Sequence, residues 1–117
     1  MPVVGLHHLA WEDLSNAEPA LRGACKANLA RLATSRPGVP SGLRTEKVDP
    51  QIIELKVSWN KQEFRLLFFY GIQRLPIVVH FFQKKTRKTP KREIELAIRR
   101  MKEIQLEQTT TVSVSLH

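Results

Sequence analysis

The chain has a single cysteine, a single tyrosine, no internal repeat and no low-complexity segment. No apolar run approaches the roughly 18 residues that a membrane-spanning helix needs. One thiol excludes an internal disulfide framework. Cys25 and four histidines offer no zinc-module spacing, and His7 and His8 have no carboxylate or thiol at ligand distance in sequence, so neither a metal nor a cofactor is expected. The opening MPVVGLHHLAW carries no basic flank before an apolar stretch and does not read as a leader. A reducing, cytoplasmic setting is the expectation. Acidic residues are also scarce: eleven Asp and Glu stand against nineteen Lys and Arg, a net charge of +8. What is present, 117 residues with 42% hydrophobic and 26% charged side chains, suits one globular domain spanning 1–117. The excess of cations favours a polyanionic partner.

Residues 1–14 give no clean period; Val3, Val4, Leu6 and Leu9 allow a short strand, and this segment is expected to be atypical or flexible. Ser15 and Glu18 have capping-box spacing, Pro19 suits a first helical turn, and Leu21, Cys25, Leu29 and Leu32 recur at helical spacing. The prolines and glycine of the segment 35–40 should end that helix. The period then changes to two. Ile53, Leu55, Val57 and Trp59 alternate with polar residues; a second strand follows over 63–70 and a third over 75–82. Connections this short imply an antiparallel meander, and the fold class is α+β, with an N-terminal helix or helical hairpin packed on a small sheet. The second and third strands are apolar on both faces over part of their length, so the chain's own helices or a partner segment should cover the second face. Thr89 as N-cap and Pro90 as first residue begin a terminal helix reaching about residue 107. Residues 108–117 could add an edge strand through Val112, Val114 and Leu116, but a frayed tail is the expectation.

Nine of the nineteen cations lie between Lys84 and Lys102, six of them (Lys84, Lys85, Arg87, Lys88, Lys91, Arg92) within nine residues. Cations at a helix N-terminus oppose its dipole by about 0.3–1 kcal/mol each, so their clustering points to an anion held there and not to a solvated turn alone. Arg65, inside a strand, suits a phosphate by its forked guanidinium, or a salt bridge to Glu54 or Glu63; spacing leaves both open. Lys56 shares its face, as does His80 in one of two registers. His80 is a conceivable proton-transfer group or simply a packed strand residue. Cys25 reads as a small core residue.

The segments ELKVSW, EFRLLFFY and VVHFFQKKTRKTPKREIELAIRRMKEI resemble the RelE/HigB branch of toxins from type II toxin–antitoxin systems, most specifically through FxKKTxKTPxxEIxxAxxR. The resemblance covers about 53–104, and more loosely 15–35. It implies the α+β fold of those toxins, messenger-RNA cleavage on the ribosome, and neutralisation by a cognate antitoxin with a helix-turn-helix domain, in a toxin–antitoxin hetero-oligomer. Carried over by position, it makes Arg65 the arginine associated with the scissile phosphate and Lys56 the basic residue of the preceding strand. It makes Lys84, Lys85 and Arg87 the RNA-holding loop and His80 a histidine common in this branch, while the charge cluster itself offers Lys88, Lys91 and Arg92 as further phosphate contacts. The tyrosine that some members carry after the basic loop is absent, which leaves the acid and base open. ParE-type gyrase poisons share the fold, and a basic RNA- or ribosome-binding module would carry the same loop, so both remain alternatives.

Overall fold

A computed structural model describes residues 2–35 and 42–116. The strands are β1 (Val3–His7), β2 (Thr45–Lys47), β3 (Ile53–Trp59), β4 (Gln62–Tyr70), β5 (Pro76–Lys84) and β6 (Thr111–Ser115). The α-helices are α1 (His8–Ser15), α2 (Pro19–Thr34) and α3 (Lys91–Gln105). The fold is α+β: one six-stranded sheet of order β2-β3-β4-β5-β1-β6, antiparallel except where β1 lies parallel to β5. The expected meander is its centre. Lys56 pairs with Arg65, and Arg65 with Phe82, as the period-two pattern requires.

The sheet is covered on both faces. Val4, Leu6, Leu14, Cys25, Leu29, Leu55, Leu66 and Phe68 form the core on the side of α1 and α2. Ile52, Leu67, Phe69, Ile77 and Val79 pack against Ala97 and Met101 of α3 on the other. The chain's own helices therefore cover the second apolar face, and no partner segment is needed there. Burial drives the Cys25 thiol up to about 12, in keeping with a core role.

Several local expectations are corrected. Ser15 does not cap α2; it ends α1, and its hydroxyl oxygen is buried without a hydrogen-bond partner among the described residues. The chain is already helical from His8, where the His7 Nδ1 accepts the Leu9 amide at 3.1 Å, so the second helix starts only at Pro19, with Glu18 at its N-cap. That helix ends at Thr34, with Ser35 in extended backbone as its C-cap, so it stops where the segment 35–40 was expected to end it; residues 36–40 lie outside the described residues. Thr89 does not cap α3 either: its hydroxyl donates to the Glu54 carboxylate, leaving Pro90 at the N-cap, and α3 ends at Gln105. Residues 3–15 form a strand and a helix, and residues 111–115 are strand, not a frayed tail. The free edge of β1 supplies the ladder that β6 needs, and Leu116 is buried beyond it.

The strict alternation expected in β5 also fails at one place. Leu67 pairs with His80 but Phe68 pairs with Val78, so Val79 is an extra residue, a β-bulge. Val79 and His80 consequently both face α3, whereas strict alternation would have put them on opposite faces.

Candidate nucleic-acid interface

The centre of the site is a buried ionic network. Arg65 is 5% exposed; its Nε lies 3.0 Å from Glu54 Oε1, and its Nη1 lies 3.0 Å from Glu63 Oε1 and 2.9 Å from the Phe64 carbonyl. Glu54, 1% exposed, also accepts the Thr89 hydroxyl. A buried guanidinium and carboxylate persist only when paired and hydrogen-bonded, and here both are. The Ser58 hydroxyl and the Arg65 guanidinium hold the Glu63 carboxyl below the ordinary carboxylate range. Of the two roles open to Arg65, the structure shows the salt bridge. The guanidinium is a strut between β3 and β4, joined through Glu54 to Thr89 in the loop before α3, and not a group presented to solvent.

That loop leaves the sheet at Lys84 and separates two clefts. The larger, about 400 Å³, is lined by Lys47, Lys56, Lys84, Arg87 and Lys88 together with Glu46. Lys56 Nζ sits 3.0 Å from Glu46 Oε1, and this contact keeps the Glu46 carboxyl below its usual range. The smaller cleft, about 220 Å³, has Lys84, Lys85, Thr86, Arg92 and Glu93 in its wall. Lys84 is common to both. Lys85, Arg87, Lys88 and Arg92 are exposed, so their charges are available to a ligand. Lys91 is not drawn in: it lies on the open face of α3, 3.9 Å from Glu95. The structure thus gathers Lys56, Lys84, Arg87 and Lys88 at one cleft and Lys84, Lys85 and Arg92 at the other. It leaves Arg65 beneath them and Lys91 beside them. Cations converging on two adjoining concavities at a helix N-terminus suit the repeated phosphates of a polyanion.

This geometry falls within the stretch 12–102, which matches the family model for the phage-derived Gp49-like protein (DUF891). The chain belongs to that family. The match spans the loop, both clefts and α3 as far as Lys102, and leaves β1 and β6 outside it. No curated protein matches the sequence. Among the described residues, no helix is long and apolar enough to cross a membrane.

His80 of this Gp49-like protein lies under the smaller cleft. It is 7% exposed, its ring stacks on Phe82 with centroids 5.0 Å apart, and its Nε2 lies 2.8 Å from Glu93 Oε2. Its Nδ1 is buried without a hydrogen-bond partner among the described residues. Burial, more than the Glu93 carboxylate can offset, holds its pKa below the ordinary value of 6.5. On α3, the buried Arg100 donates through Nη1 to the carbonyl of the bulged Val79 at 3.0 Å. The sequence reading missed Lys47, Glu93 and Arg100. Glu93 and Arg100 both stand in the KKTxKTPxxEIxxAxxR string, and the spacing of seven that puts them on one helix face was the available signal. Lys47 had none, because only the pairing of β2 with β3 brings it to the cleft.

Proposed function

We propose that this Gp49-like protein is the toxin of a type II toxin–antitoxin module and that it cleaves messenger RNA, on the ribosome, by attack of the RNA 2′-hydroxyl. The observation that carries the reading is the convergence of Lys56, Lys84, Arg87 and Lys88 on one cleft, with Lys85 and Arg92 on its neighbour. Membership of the Gp49-like family supports the toxin part of it. RNA supplies its own nucleophile. The protein has to place the phosphate in line, stabilise the charge of the pentavalent state, accept the 2′-hydroxyl proton and protonate the departing 5′-oxygen. The cations of the two clefts hold the phosphates flanking the scissile bond, and Lys84, reaching both, stabilises the developing charge. Arg65 acts from below by holding the platform rigid. A cognate antitoxin is the expected partner, as in the toxins that the sequence resembles.

The test is to express the protein and map transcript ends. Cuts confined to translated regions are expected, and Lys84→Ala should lower cleavage about a hundredfold, the usual cost of removing one transition-state donor. Intact transcripts accompanied by DNA-damage signalling would replace this reading with gyrase poisoning; intact transcripts without it would leave a binding module.

A further inference from the structure

The proton acceptor of the smaller cleft follows from how His80 and Glu93 divide their surroundings; this inference rests on the ribonuclease reading above. His80, at 7% exposed, cannot meet a substrate. Glu93 can: its side chain is 19% exposed, and the residue lines the cleft with Lys84, Lys85, Thr86 and Arg92. The contact between the two, 2.8 Å from Nε2 to Oε2, makes the neutral imidazole a donor to the carboxylate. That proton placement is dictated by the other nitrogen. Protonated Nδ1 would be a buried donor without a partner among the described residues, a costly arrangement. His80 therefore holds its one proton on Nε2 and orients the anionic Glu93, leaving Oε1 toward the cleft, 3.8 Å from Arg92 Nε.

The backbone is arranged to make this contact. The Val79 bulge turns His80 toward α3, and Arg100, about two turns along α3 from Glu93, fastens the bulge through the Val79 carbonyl. Helix and strand are thus tied at two points, and the dyad sits between them. We propose that Glu93 is the proton acceptor for the RNA 2′-hydroxyl and that His80 is the residue that positions its carboxylate. In the step, the 2′-oxygen gives its proton to Glu93 and forms a bond to phosphorus. The bond from phosphorus to the 5′-oxygen breaks, and that oxygen takes a proton from the ammonium of Lys84 or Lys85. The products are a 2′,3′-cyclic phosphate and a 5′-hydroxyl, and exchange with solvent returns both side chains to their starting states.

The experiment measures kcat and KM for RNA cleavage by the full chain, on translating ribosomes, for wild type, Glu93→Gln, His80→Gln and His80→Leu. Loss of a general base predicts that Glu93→Gln lowers kcat by about 10²–10⁴ with KM unchanged. His80→Gln, which keeps a donor to the carboxylate, should retain more of kcat than His80→Leu. Undiminished kcat in Glu93→Gln, or a loss that lies wholly in KM, overturns the role of Glu93; equal kcat in the two His80 variants overturns that of His80. If thermal melting shows Glu93→Gln unfolded, Glu93→Asp, which keeps the charge but sits one methylene short, takes its place, and full kcat there also overturns the proposal. A wild-type protein that leaves RNA intact defeats the ribonuclease reading itself, a result distinct from all of these.

Discussion

Arg65 shows how burial decides what a side chain can do. In sequence it is a cation between apolar neighbours, equally fit for a phosphate or a carboxylate. In the fold Glu54 and Glu63 occupy two of its nitrogens, and its side chain is 6% exposed. Removing one member of a buried pair strands the other without water, so Arg65→Met should cost about 3–5 kcal/mol in urea unfolding. Replacing both, as Glu54→Leu with Arg65→Met, should recover much of that loss, since no charge is then left buried. A single variant as stable as wild type would mean that the network does not support the sheet. The same logic separates the site's polar residues: Lys85, Arg87 and Lys88 are exposed and have no carboxylate partner among the described residues, whereas His80 is covered and touches Glu93.

At the scale of elements, the β3–β4 hairpin was legible because its pattern is local. Alternation placed Ile53, Leu55, Val57 and Trp59 on one face, and Trp59 pairs with Gln62 across a two-residue loop. Both loop residues have positive φ, 52° at Asn60 and 61° at Lys61, the backbone that matches strand twist in tight hairpins. Asparagine tolerates this region; lysine does so at a cost of about 1 kcal/mol. Lys61→Gly should accordingly stabilise the protein by up to about 1 kcal/mol, read as a higher urea midpoint at unchanged slope. A lower midpoint would show that Lys61 makes a compensating contact. Less local elements were not legible. The carbonyl of the bulged Val79 is bonded by Arg100, twenty-one residues on, and the Thr89 hydroxyl is claimed by Glu54, thirty-five residues back. β6 forms because β1 presents an edge, and nothing in TVSVS by itself calls for that partner.

For the whole molecule, the two-sided core buries histidines as well as hydrocarbons. His7, 1% exposed, and His80 both have pKa values held below 6.5, first by burial; Arg100 adds to this at His7, and at His80 burial outweighs the opposing pull of Glu93. The unfolded chain takes up protons near the ordinary value while the folded chain does not, so stability is complete above 6.5 and declines as the pH falls below it. Urea midpoints should be lower at about pH 5.5 than at about pH 7.5, before most carboxylates titrate. His80→Gln should flatten the dependence. A midpoint that does not move between those conditions would show that neither imidazole is as dry as the fold implies.

The sequence by itself determined the α+β class, the central meander, the faces of β3 and β4, and the crowding of cations around the start of α3, because alternation, helical spacing and charge are properties of neighbours along the chain. Only the tertiary structure decided that Arg65 is a strut, that Lys47 joins the cleft, that β1 and β6 complete the sheet, and that Glu93 stands between His80 and solvent. Each of these turns on a contact between distant segments, or on the loss of water that such a contact brings. Neither can be read from spacing.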